Sequence, residues 1–85
     1  MYAQRKFYFA KNLKMGDKND DVKELQIELK KLGLFTYPEI TGYYGSVTRK
    51  AVYEFQKANN ISVTSSLFGL YTGPATRAVL NYGII

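Results

Sequence analysis

The apolar positions of the chain fall into three stretches with helical spacing, separated by turns rich in Gly, Pro, Asn and Ser. In GDKNDDVKELQIELKKLG (16–33), Val22, Leu25, Leu29 and Leu32 recur at three, four and three residues, so they share one face of a helix. Gln26 falls on that face and Ile27 on the far side. Asn19 is placed to cap the helix, and Asp20, Asp21 and Glu24 oppose the positive end of its dipole. Lys30 and Lys31 suit the last turn, and Gly33 suits a left-handed stop. A second helix is predicted from about Ser46 to Asn59, with Val47, Ala51, Phe55 and Ala58 on one face, widened by Val52, and Tyr53 turned away. Pro74 suits a first helical position, where a missing N–H costs nothing, and opens a short third helix running to about Tyr82.

Residues 1–12 form a lead-in, and residues 13–85 form the domain proper. In KFYFAKNL, Phe7 and Phe9 alternate around Tyr8, which predicts a short extended segment laid on the domain. Met1 to Lys6 have nothing to bury and are expected to be disordered. A chain of 85 residues is enough for one domain and not two. It contains no Cys and no His, so neither a disulfide nor the usual nitrogen and sulfur ligands of zinc can staple it. Stability must come from apolar packing and well-made helix ends.

A faint internal repeat spans the two later helix starts. GYYGSVTRKAV (42–52) matches GLYTGPATRAV (69–79) with one residue inserted. Each copy has a Gly, a Tyr, a second Gly, and then Thr-Arg at the third and fourth positions of the helix. Local sterics account for the glycines, and a hydroxyl at the third position can turn back towards the cap. Sterics do not demand a Tyr before the second Gly, nor an Arg after the Thr.

Missing residue types also bound the chemistry. Without His or Cys, the commonest general base and the best thiol nucleophile are gone. Asp17, Asp20, Asp21, Glu24 and Glu28 crowd one helix start, where capping and the dipole explain them, and Glu39 and Glu54 show no paired arrangement. The chain is therefore not expected to be an enzyme. A net charge of +5 favours an anionic partner: nucleic acid, a membrane surface or an acidic cell-wall polymer. No apolar run approaches the length of a membrane span, and MYAQRKFYFAKNLK lacks the apolar stretch of a signal peptide. Export would then be directed from elsewhere, or the chain is a piece of a longer protein. A helix-turn-helix reading fails for want of base-reading groups: the second helix offers Arg49, Lys50 and Lys57 mixed with Tyr53 and Glu54, and the third only Arg77 and Asn81. No nucleic acid is expected.

LKMGDKNDDVKELQIELKKLG, TGYYGSVTRKAVYEFQKANNI and GLYTGPATRAVL, taken together and in order over residues 13–80, resemble the peptidoglycan-binding domain family, small modules often attached to cell-wall hydrolases. The resemblance implies an all-α fold, a compact three-helix bundle. It also implies a non-catalytic, monomeric module without a cofactor, located in the cell envelope or outside the cell. Its ligand would be peptidoglycan, glycan or stem peptide, and it would anchor a hydrolase domain or partner. A related group uses the fold as a metalloprotease pro-segment with a cysteine switch, a role this Cys-free chain cannot fill. Where the family pattern ends its second helix with Gly, this chain has Asn60, which tolerates the left-handed conformation.

On this basis the expected ligand-binding residues are Tyr43, Tyr44, Gly45, Thr48, Arg49, Tyr71 and Arg77. One of Tyr43 and Tyr44 should be buried and the other exposed, free to stack on a sugar or an alanyl methyl. Arg49 is placed to pair with a stem-peptide carboxylate, with Arg77 at the equivalent place in the repeat making a two-sided clamp. Gln26 and Gln56 should lie inside and bond loop backbone groups. The competing reading is an interaction module that keeps the fold without the ligand and docks another domain through Ile27, Tyr53 and the lead-in aromatics.

Overall fold

The structure is a computed structural model that describes residues 7–62 and 69–83. Met1–Lys6, expected to be disordered, and residues 63–68 of the last connection lie outside the described residues. Five elements follow in order: β1 (Leu13–Lys14), α1 (Asp20–Lys31), α2 (Ser46–Ala58), β2 (Tyr71–Thr72) and α3 (Pro74–Tyr82).

Helix α1 begins where its sequence says it should. The side chain of Asn19 accepts a hydrogen bond from the Val22 N–H at 2.9 Å, satisfying one of the donors that a helix start leaves open. Val22, Leu25, Gln26 and Leu29 are buried. Leu32, expected on that face, is 51% exposed because it is the C-cap and lies past the last regular turn. Gly33 follows in the left-handed region.

In α2 the buried stripe is Thr48, Ala51, Val52, Phe55 and Gln56. It differs from the apolar stripe expected there: Val47 is 40% exposed and Ala58 is exposed as well. Two polar side chains that satisfy their hydrogen bonds internally turn inward and displace Val47 and Ala58 from the core face. The helix ends at Asn59, and Asn60 takes φ 58°, the only non-Gly residue with positive φ among the described residues. The left-handed stop is therefore made by Asn where the family pattern carries Gly.

The three helices are joined by a short ribbon that the all-α expectation left out. β1 pairs antiparallel with β2, Leu13 opposite Thr72 and Lys14 opposite Tyr71. Strands of two residues carry no readable alternation, so hydrophobic patterning cannot announce them. Immediately downstream, Tyr44 N–H donates to the Asp17 carbonyl and Gly16 N–H to the Tyr44 carbonyl, each at 2.9 Å, with a bridge between Lys18 and Tyr43. Residues 13–18 thus bond to the turns preceding both α2 and α3.

The core joins Phe9 and Leu13 to the inner faces of the helices, with Phe35, Tyr44 and Leu80. The lead-in lies along α3 with Phe9 buried and Tyr8 exposed, and it bends at Lys11. Phe9 N–H donates to Asn81 Oδ1 at 2.7 Å, and Asn81 Nδ2 donates back to the Phe9 carbonyl at 3.1 Å. One side-chain amide thus serves the backbone as a neighbouring strand would. Phe7 packs edge-on against Phe9 with ring centroids 4.8 Å apart.

Two glycines in the left-handed region separate backbone strain from crowding. Gly69 (φ 76°) lies so close to α2 that an added Cβ would overlap the Arg49 carbonyl, whereas Gly16 (φ 100°) has nothing within 4 Å. We expect Gly69→Ala to lower stability by more than ~3 kcal/mol and Gly16→Ala by only ~1–2 kcal/mol, measured as urea unfolding free energies. Equal losses would mean that the approach of the last turn to α2 is looser than described.

Candidate functional site

Two buried glutamines build two like turns. Gln26 Oε1 accepts from Gly42 N–H at 2.9 Å, and its Nε2 donates to the Tyr43 carbonyl and to Thr48 Oγ1, both at 3.0 Å. Gln56 repeats the pattern one helix later. Its Oε1 accepts from Gly69 N–H at 3.1 Å, and its Nε2 donates to the Tyr71 carbonyl at 2.9 Å and Thr76 Oγ1 at 3.1 Å. The faint sequence repeat is therefore a structural one, with Gly42 matching Gly69, Tyr43 matching Tyr71, and Thr48 matching Thr76. Both glutamines are almost completely buried and nearly all their bonding capacity is used inside.

This geometry sorts the residues expected at the site. Each Tyr whose carbonyl faces a glutamine turns its own ring outward: Tyr43 is 49% and Tyr71 50% exposed. The next residue alternates inward. Tyr44 is fully buried, donates its phenol to the Gly69 carbonyl at 2.8 Å, and lies 3.2 Å from Thr72 Oγ1. Having no surface to offer, Tyr44 leaves the set of ligand contacts and joins the core. Thr48 leaves it for the same reason, because its hydroxyl accepts from Gln26 and donates to the Tyr43 carbonyl at 3.3 Å. Arg77 is engaged by the lead-in, its Nε donating to Asn12 Oδ1 at 3.0 Å and its Nη1 to the Phe9 carbonyl at 3.4 Å. It therefore ties Phe9 and Asn12 of the lead-in to α3.

Gly45 has a role that helix geometry alone does not require. The Tyr43 ring folds back so closely that a Cβ on Gly45 would lie 2.8 Å from its Cε2. Gly73, the equivalent residue, has nothing within 4 Å, so the first turn alone provides a bed for its tyrosine.

Beside that ring lies a cleft of about 250 Å³. Tyr37, Tyr43 and Val47 form an apolar rim, Thr41 and Ser46 add hydroxyls, and the buried Gln26, Phe35 and Thr48 close the bottom. The exposure of Val47, unexpected from hydrophobicity, places it on this rim. Across Ser46 lies a second depression of about 200 Å³, lined by Arg49, Lys50 and Tyr53 together with Ser46 itself. Sequence reasoning missed Tyr37, Val47 and Lys50, because nothing in a helical pattern marks residues that line a surface. Among the described residues no group of acidic side chains is disposed to hold a metal ion, and no helix is long and apolar enough to cross a membrane.

Three helices carrying paired turns and a shallow, tyrosine-rimmed cleft define a small ligand-binding module. Residues 18–80 match the family described as "Putative peptidoglycan binding domain". The chain belongs to this family of peptidoglycan-binding domains. Among solved structures, it is similar to the SleB N-terminal domain, at 28% identity and a TM-score of 0.74, covering 87% of this chain and 93% of that one. It is also similar to the endolysin of Burkholderia phage AP3, at 36% identity and a TM-score of 0.69 over 86% of this chain, but it spans only 26% of that endolysin. No curated protein matches.

Burial pushes the Tyr44 phenol up to about 12, the bond with Thr72 working against the shift, while nearby Asp17 raises it further and Arg49 lowers it. A phenol harder to ionise in the fold than in the unfolded chain contributes stability that is complete below pH ~10 and is lost as pH rises towards ~12. Tyr44→Phe should cost ~1–2 kcal/mol at neutral pH, by stranding the Gly69 carbonyl, and should flatten the loss of stability between those pH values. Chemical denaturation at pH 7, 10 and 11.5 checks both parts.

Proposed function

We propose that this chain is a non-catalytic targeting module that holds a cell-wall hydrolase, as another domain or a partner, on bacterial peptidoglycan in the cell envelope or outside the cell. Family membership supports the ligand, and the similarity to part of an endolysin supports the attachment to a hydrolase. The observation that carries the site is the half-exposed Tyr43 ring, bedded on Gly45 at the rim of the cleft. Tyr43 and Tyr37 stack on apolar faces of the polymer and Val47 adds contact area. Thr41 and Ser46 bond its polar groups, and Arg49 supplies charge from across Ser46. Tyr71 extends the aromatic contact. Binding is shallow, monomeric and independent of cofactors, and it does not extend to nucleic acid.

Pull-down with purified peptidoglycan tests this reading, with a polysaccharide unrelated to cell walls as control. Tyr43→Ala should weaken retention about tenfold, a loss typical of one stacking aromatic. Gly45→Ala should weaken it several-fold, because the new methyl displaces the Tyr43 ring while the ordinary negative φ of Gly45 leaves the backbone unstrained. Full retention by both folded variants would move the site elsewhere.

A further inference from the structure

The chain has no Cys, yet its early and late segments meet at a pair of redox-active side chains. Tyr82, in the last turn of α3, donates its phenol to the Tyr8 oxygen at 3.2 Å. The two ring centroids are 6.2 Å apart, with 61° between the planes. This meeting is fixed by the backbone next to each tyrosine. Phe9 N–H donates to Asn81 Oδ1, Asn81 Nδ2 donates back to the Phe9 carbonyl, and the Phe9 ring is sunk in the core. The chain is thus clamped one residue from each phenol, while the tyrosines themselves are 56% and 71% exposed and within reach of a dissolved oxidant. Tyr37, Tyr43 and Tyr71 are exposed as well, but their rings have no aromatic partner among the described residues.

We propose that Tyr8 and Tyr82 are a site of oxidative modification, coupled by peroxide into a dityrosine that staples the lead-in to α3. Each phenol gives up one electron and its O–H proton, leaving a phenoxyl radical with unpaired density on the ring carbons ortho to oxygen. One C–C bond forms between an ortho carbon of each ring. The C–H bonds of those two carbons then break as their protons pass to the oxygens, which restores two phenols. The two electrons and two protons released reduce one hydrogen peroxide to two water molecules, through a haem peroxidase acting as one-electron carrier. Folding supplies the proximity: phenols already in contact couple within one molecule, whereas phenols on separate chains must first meet. The new bond spans 74 residues, so it restricts the unfolded chain as a long-range disulfide would. In the oxidising setting outside a cell, where other small domains use disulfides, this bond is open to a Cys-free chain. The inference is independent of what the Tyr43 cleft holds.

The test is treatment of the folded 85-residue chain, at low micromolar concentration, with a haem peroxidase and hydrogen peroxide. Dityrosine fluorescence should appear in a monomer lighter by two hydrogens. Trypsin cuts after Lys6, Lys11 and Arg77, so the product should join peptides 7–11 and 78–85, each of which carries a single tyrosine. Tyr8→Phe and Tyr82→Phe should each lower its yield about tenfold or more, the advantage of a prearranged pair over chance encounter. Tyr43→Phe and Tyr71→Phe should leave the yield unchanged. Asn81→Ala, which releases the Phe9 backbone, should lower it several-fold while both phenols remain. The coupled monomer should unfold at a urea concentration higher by about 1 M or more. Absence of a coupled monomer, joining of other tyrosines, or covalent dimers as the main product would overturn the inference. So would an undiminished yield from Tyr8→Phe, and an unchanged urea midpoint would overturn the staple.

Discussion

The hydrogen bonds of two buried glutamines hold the rest of this structure in place. A buried amide side chain is costly unless its oxygen and nitrogen find partners, and a buried turn carries backbone groups with the same need. Gln26 and Gln56 each meet both needs at once, tying a turn's first glycine N–H, its tyrosine carbonyl and the threonine of the next helix into one network. Each helix thereby fixes the start of the next. In a chain this small, without disulfides, that linkage supplies a definition of loop geometry that the modest apolar core alone would not.

The tyrosine-bearing surface follows from the same bonds. Once a glutamine captures the carbonyl of Tyr43 or Tyr71, strand alternation sends the ring outward and the next side chain inward. The inward pair, Tyr44 and Thr72, meet at 3.2 Å and connect the two turns through the core. The outward pair stay about half exposed. The repeat is not symmetric: the lead-in bonds to Arg77 and Asn81 on α3, whereas Ser46, Arg49, Lys50 and Tyr53 line a depression on α2.

The helices were legible from the sequence because each carries a capping or stop residue and a run of apolar positions at helical spacing. Asn19, Pro74 and Asn60 all act as their chemistry implies. The inward roles of Gln26 and Gln56, each following a core residue, Leu25 or Phe55, were legible too, as was the burial of one of Tyr43 and Tyr44, though not which. What pattern could not show was which residue of α2 takes the core face or where Arg77 finds its partner. Thr48 displaces Val47 from the core face because its hydroxyl is bonded, a fact that hydropathy does not register. Arg77 resembles Arg49 in sequence, yet its partner lies 65 residues away at Asn12, a distance no local motif reports. The cleft itself joins Tyr37 to Val47 through the fold of the intervening loop, and residue spacing says nothing of that.

Native-state hydrogen exchange at two amides tests the central claim most directly. Gly42 N–H and Gly69 N–H belong to turns, yet each is bonded to a buried glutamine oxygen. They should exchange as slowly as the helical core, near the limit set by global unfolding. Gln26→Leu should release Gly42 while leaving Gly69 protected relative to the variant's own global stability, and Gln56→Leu should do the reverse. Rapid exchange of both glycines in the unaltered chain, or protection of Gly42 that survives loss of Gln26, would contradict the claim that these side chains hold the turns.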